Sequence, residues 1–180
     1  YGWEKLFSER LYLAFYRNYK LNVRIGRFHN IYGPYGTWKG GKEKSPAAMC
    51  RKAAEVKKGE FLEVWGDGNQ TRTFLYIDDC IDCVLKFMRQ ENFVGPVNIG
   101  SEEMVTINDL ARISLDISGK NDKCSVKNIY GEEFKNKYGF NCPLGVRGRK
   151  SNNTLVKEKI GWQPKITLLQ GMKKTFDWIN

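Results

Sequence analysis

The chain has 180 residues, 41% hydrophobic and 13% aromatic, which suffices for one ordinary core and is too short for two large domains. Gly (18) and Pro (5) are too few for collagen or low-complexity disorder, and no apolar run approaches the roughly 20 residues that cross a bilayer. Thirty Lys and Arg against 20 Asp and Glu leave a net charge of +10, which suits an anionic partner such as nucleic acid, an acidic membrane surface or a phosphorylated small molecule.

Leu6, Leu11, Leu13, Ala14 and Phe15 stand among charges and predict a long helix from Gly2 to about Tyr19. The pattern is already running at Tyr1, which implies a piece of a longer protein. Residues 21–28 alternate as a strand, and 29–44 form a loop dense in glycine and aromatics. A helix follows from about Pro46, with proline in its first turn. Residues 61–65 are a second strand, closed by Gly66-Asp67-Gly68-Asn69, a hairpin signal. Residues 73–77 are a third, and Asp78 is placed to cap a helix reaching about Arg89. Residues 96–99 form a fourth strand, and Thr106 or Asn108 caps a helix near 110–117. Residues 120–140 are polar and weakly patterned, and read as a flexible insertion. Helices near 155–160 and 168–179 close the chain. Alternating strands and helices imply an α/β protein with a largely parallel sheet. Five cysteines, an odd number with no secretory signal before them, imply free thiols in a reducing compartment, hence a cytoplasmic protein.

Tyr1 and Lys5 stand one helical turn apart, so phenol and ammonium share a face. A cation beside a phenol favours the phenolate, an acid/base for a sugar or steroid hydroxyl during hydride transfer. The same spacing suits a plain surface pair. Next, Arg27-Phe-His-Asn-Ile-Tyr-Gly-Pro34 lies where open α/β sheets bind ligands beyond their strand ends. Asn30 offers a donor and an acceptor to a sugar, or it only builds a turn with Gly33. His29, the single histidine, receives no role. Lysines and paired glycines in residues 36–46 precede a helix and suit phosphate or proton transfer, or else form a mobile, solvated basic loop. Gly-x-x-x-x-Gly-Lys-[Ser/Thr] does not occur, which excludes a Walker loop. Gln70 and Arg72 follow the turn, where arginine forks onto a diphosphate. Arg147-Gly-Arg149 adds a second basic pair, which alone is a generic basic turn. Cys80-Ile-Asp-Cys83 sits inside a helical pattern without a second such pair, and reads as packing rather than metal or redox chemistry.

Three motifs occur in order: Tyr1-x-x-x-Lys5, then Arg27-x-x-Asn30-x-Tyr-Gly-Pro34, then Gly66-Asp-Gly-x-Gln70-x-Arg72-x-Phe74 before an aspartate-led helix. Together they resemble the extended short-chain dehydrogenase/reductase family over nearly the whole chain, least between 120 and 140. Residues 26–34, 36–48 and 145–149 are similar to the branch that epimerises a GDP-hexose for ascorbate synthesis.

The resemblance implies the C-terminal part of a Rossmann-like fold interleaved with a smaller substrate-binding domain. Residues 1–28 and 73–100 would be Rossmann-like, and 29–72 and 101–180 substrate-binding. It implies NAD as cofactor, a GDP-sugar as substrate, a homodimer, and neither nucleic acid nor membrane as partner. Oxidation at C4 acidifies C3 and C5, an acid/base pair inverts them, and the hydride returns. Tyr1 matches the residue that handles the C4 hydroxyl proton and Lys5 the one that holds the nicotinamide ribose. Lys44 matches the lysine of the epimerising pair, with Glu43 and Ser45 beside it. Asn30, Lys52, Gln70, Thr71, Arg72 and Arg149 match positions that bind the GDP-sugar. The family's dinucleotide loop and the cysteine partner of the lysine precede the tyrosine, and Ser45 stands where alanine is usual. These residues therefore carry half of an active site, and the chain alone is not expected to hold NAD or turn over. The nearest rival is another nucleotide-sugar epimerase or dehydratase, against which residues 36–44 argue. A basic nucleic-acid module is favoured by net charge and by Tyr32, Tyr35 and Trp38, but its charges are spread along the chain.

Overall fold

The structure, a computed structural model, describes residues 1–143 and 145–180. Helix α1 (Gly2–Tyr19) forms as its periodicity predicts, yet it buries no residue, and Trp3 is 85% exposed. Arg27 ties it to the strand beyond by donating to both oxygens of Glu9, at 2.7 and 2.5 Å. Of the alternating stretch 21–28 only β1 (Gly26–Phe28) pairs as strand, because its parallel partner β6 (Val97–Ile99) is itself three residues long. A short β2 (Ile31–Tyr32) stands inside the predicted loop and runs parallel to β5 (Leu75–Tyr76).

Helix α2 (Ser45–Glu55) begins with proline in its first turn and ends where Lys120 Nζ donates to the carbonyls of Ala53, Ala54 and Val56. In β3 (Phe61–Trp65), Leu62 and Val64 point into the core and Phe61 and Trp65 outward. The hairpin expected at Asp67-Gly68 does not form. Strand β3 pairs in parallel with β8 (Ser125–Ile129), whereas β4 (Thr71–Thr73) pairs antiparallel with β7 (Met104–Thr106). The turn therefore carries the chain from one ladder to another. Gly68 sits at φ +69°, where a Cβ would collide with the Asn108 amide, and Asn108 donates to Asp67 O. Tight packing against Asn108 at the start of the helix Ile107–Ile117, not strand return, demands this glycine.

Helix α3 (Ile77–Met88) buries Cys80, Cys83 and Phe87, the packing role expected of the cysteine pair. Asp78 does not cap it, since the helix starts one residue earlier with Tyr76 at the cap. The buried acid is Asp79, whose Oδ2 accepts from the amides of Lys165 and Ile166 at 2.9 and 2.8 Å. Thr106 caps α4 (Ile107–Ile117) by accepting from Asp109 N, and Thr167 with Gln170 builds a capping box on α7 (Leu168–Ile179). The supposed flexible insertion is ordered structure: β8 followed by α5 (Gly131–Tyr138). Its anchor is Phe134, fully buried, which polar average composition concealed.

Two apolar clusters hold the whole. One gathers Met49, Leu62, Val64, Phe74, Leu110 and Met172 between α2, β3, α4 and α7. The other gathers Leu75, Cys83, Phe87, Ile99, Val156 and Trp162 beneath α3, β6 and α6 (Thr154–Ile160). Among the described residues three of the four strand pairs are parallel, as expected, but each is a separate two-stranded ladder rather than part of one sheet. All five cysteines are free, and no described helix is long and apolar enough to cross a membrane.

Candidate functional site

The start of α2, the end of β3 and the approach to β4 converge on one cavity of about 390 Å³. Glu43 and Ser45 reach it from the helix start, and Arg51 and Lys52 from the next turns. Trp65 comes from the strand end, and Gln70 and Arg72 from the segment beyond. Ala48, Met49 and Ile107 supply apolar floor. Five of the residues singled out by sequence, Glu43, Ser45, Lys52, Gln70 and Arg72, thus share one space despite a separation of up to 29 positions (43 to 72).

The loop before α2 is held in place rather than solvated along its length. Arg51 donates to Trp38 O at 3.2 Å and pairs with Glu43 at 3.3 Å and Glu55 at 2.8 Å. Gly41 N donates to Glu43 at 2.7 Å, and the Trp38 and Tyr35 rings lie 6.5 and 5.6 Å from Trp178 of α7. Backbone and side-chain donors hold the Glu43 carboxyl below its ordinary value against the opposing effect of burial. Lys52 Nζ donates to Glu63 O at 2.7 Å and stands 5.8 Å from the centre of the Trp65 ring. Burial pushes the Lys52 ammonium below the usual lysine value, with Glu63 opposing.

Arg72 lines the far side, whereas Arg149 is exposed outside the lining and acts on Arg72 through its charge. Residues 147–149 run along β4, with Thr71 N donating to Arg147 O at 2.9 Å and Arg149 N to Thr71 O at 3.2 Å. Gly145 stands beside the Arg72 guanidinium, a Cβ there lying 3.2 Å from Nη2. Arg147 is spent on Asp67, at 2.6 Å. Among the described residues Arg72 has no carboxylate partner, and burial with the Arg149 charge lowers its pKa from the ordinary arginine value. Two like charges that act on one another favour a multiply charged anion nearby. Among the described residues the Oε1 atom of Gln70 is buried without a partner, an acceptor that a ligand donor would satisfy.

Other expected residues lie outside the cavity lining. Lys44 occupies the N-cap position of α2 with an exposed side chain that makes no cap hydrogen bond, between Glu43 and Ser45. Thr71 spends its backbone on the arginine segment. Asn30 adopts φ 45° and donates to Thr73 O at 3.0 Å, tying the end of β1 to β4. Tyr1 stands at the N-cap of α1 and Lys5 in its first turns, the ammonium 5.1 Å from the phenol ring centre. Burial lowers the pKa of His29 against a hydrogen bond with Asn98, and the Arg149 charge adds to the lowering. Sequence reasoning missed Arg51 and Trp65. Arg51 is one residue from Lys52 on α2, and Trp65 ends an alternating strand on its outward side, which was the available signal.

The sequence profile of the NAD dependent epimerase/dehydratase family matches residues 1–100. The chain is 48% identical over its full length to a GDP-mannose 3,5-epimerase of Arabidopsis thaliana, and 31% identical over 93% of its length to a UDP-glucuronic acid decarboxylase of the same plant. It spans 44% of the length of each of these relatives. Among solved structures, a UDP-glucuronic acid 4-epimerase of Bacillus cereus in complex with UDP-glucuronic acid and NAD superposes with a TM-score of 0.79 at 25% identity. The match covers 99% of this chain and 52% of that one.

Proposed function

The chain belongs to the NAD dependent epimerase/dehydratase family, and on that premise we propose that it provides the substrate-binding part of an enzyme that epimerises GDP-mannose at C3 and C5 through a transient C4 ketone. The observation that carries this is the convergence of Glu43, Ser45, Lys52, Gln70 and Arg72 on one cavity. A cation pair for a diphosphate, an aromatic wall and an unmet amide acceptor are what a nucleoside diphosphate sugar requires. The 48% identity to a GDP-mannose 3,5-epimerase favours guanosine over uridine nucleotides.

The donor set on α1 fits the nicotinamide ribose end of NAD, since an ammonium and a phenol lie side by side and exposed. NAD, when bound, supplies the hydride acceptor and donor for C4. Tyr1 takes the C4 hydroxyl proton and returns it, while the Lys5 charge favours the phenolate and holds the ribose hydroxyls. Arg72 and Arg149 clamp the diphosphate, with Thr71 fixing the backbone that carries both. Lys52 and Gln70 orient the nucleotide, Asn30 holds the strand end at the sugar, and Glu43 and Ser45 face the hexose. Lys44, at the mouth beside them, exchanges protons at C3 and C5. Residues 1–28 and 73–100 serve the cofactor side and 29–72 with 101–180 the substrate side, in a homodimer.

In the holoenzyme, Lys44→Ala is expected to accumulate reduced nicotinamide with GDP-mannose yet lose solvent deuterium incorporation into the sugar by about 10²–10⁴-fold. Tyr1→Phe is expected to suppress both signals. Deuterium exchange at the parent rate in Lys44→Ala removes Lys44 from the chemistry. Turnover of UDP-glucose in preference to GDP-mannose overturns the substrate assignment.

A further inference from the structure

Glu63 lies outside every role assigned so far, although four side chains converge on it. The Trp65 indole N–H donates to its Oε1 at 3.0 Å, and the Tyr138 hydroxyl and Lys137 ammonium of α5 donate to the same carboxylate. Its backbone carbonyl accepts from Lys52 Nζ at 2.7 Å. Behind the indole, the rings of Phe134 and Tyr138 stand 5.1 Å away and that of Phe140 6.4 Å, each crossing it at 57–83°. Trp65 nonetheless keeps 43% of its surface exposed and lines the cavity. The indole is therefore gripped along one edge and left open elsewhere. A tryptophan at a strand end otherwise has several rotamers to choose among, and freezing them costs free energy on binding. The three donors also outweigh burial and hold the Glu63 carboxyl below its ordinary value, which keeps it an acceptor near neutral pH.

We propose that Glu63 is a positioning residue for nucleotide binding: its carboxylate, clamped by Lys137 and Tyr138, fixes the Trp65 ring as the cavity's aromatic wall, and its carbonyl sets Lys52 beside that ring. This rests on the reading of the cavity as a nucleoside diphosphate site. Segment 131–140 is then part of the binding apparatus, acting from behind the wall without facing the cavity.

The test uses GDP as probe, by titration calorimetry, together with the exchange rate of the Trp65 indole proton by NMR, its signal identified through Trp65→Phe. Glu63→Leu is expected to speed indole exchange at least tenfold and weaken GDP about tenfold, with the far-UV spectrum unchanged. Glu63→Gln retains an acceptor oxygen and recovers most of both. Tyr138→Phe, which removes one clamp, is expected to weaken GDP about threefold and decides the matter if Glu63→Leu does not fold. Equal losses in the Gln and Leu variants indicate a merely structural carboxylate and overturn the proposal. So does an indole freed in Glu63→Leu, or in Tyr138→Phe, with GDP affinity within 1.5-fold of the parent. A parent that binds no GDP overturns the reading of the cavity, whereas parent binding left intact by these variants overturns only the positioning role.

Discussion

Removing the Arg72 guanidinium tests the diphosphate clamp at its strongest point. Arg72 donates one hydrogen bond, to Thr71 O at 2.7 Å, and among the described residues meets no carboxylate. Its partial burial and the Arg149 charge disfavour its own cationic form, a cost that a bound diphosphate relieves. A fork of two charge-assisted bonds to phosphate in this setting contributes about 2–3 kcal/mol. At 1.4 kcal/mol per decade, Arg72→Ala is expected to weaken GDP-mannose by about 30- to 140-fold. Arg72→Lys retains the charge without the fork and is expected to lose about half of that free energy. Calorimetric titration of GDP-mannose, GDP and mannose 1-phosphate into parent and variants measures it. The loss is expected in full for the first two ligands. The guanidinium's hydrogen bond goes to the carbonyl of its own neighbour Thr71, and melting temperatures are expected to stay close to the parent's. An Arg72→Ala variant that binds GDP within threefold of the parent refutes the clamp.

Asp79→Ala leaves the amides of Lys165 and Ile166 unpaired in a buried site and is expected to cost about 2–4 kcal/mol in urea unfolding, while Asp79→Asn, which keeps an acceptor, costs less. The Glu63 carboxyl titrates below its ordinary 4.5, so its contribution is present above pH 4.5 and is lost as pH falls through the lower folded value. Melting temperature is accordingly expected to drop more steeply below pH 4.5 in the parent than in Glu63→Gln, and parallel curves would count against the hydrogen bonds that hold it. Burial pushes the Cys50 and Cys83 thiols up to about 12 from 9.0, so maleimide at neutral pH is expected to label half-buried Cys142 well before either. Early labelling of Cys50, mapped by mass spectrometry, would show that α2 is not packed on α7 as described.

Local chemistry alone determined much of this protein. The helices α1, α3, α4 and α7 follow from apolar residues repeated at helical spacing, and Thr106, one of two candidates, announces the cap of α4 because capping needs only residues three positions apart. The motif around Asp67-Gly68 was equally visible, yet its meaning was not: a glycine turn looks the same whether the chain folds back on itself or crosses to another ladder. Only the parallel pairing of β3 with β8, 64 positions away (Phe61 to Ser125), settles that. The same distance explains why residues 120–140 looked like an insertion. Their composition is polar on average, and the single residue that orders α5, Phe134, shows its burial only when Trp65 and Phe140 are brought against it. The identities of Gln70, Arg72 and Lys52 could be singled out in the sequence. That they share a cavity with Trp65 and Arg51, and that Lys44 stands at its edge, is tertiary information. Side-chain chemistry is written residue by residue, but burial and proximity arise from contacts between segments that no local pattern encodes.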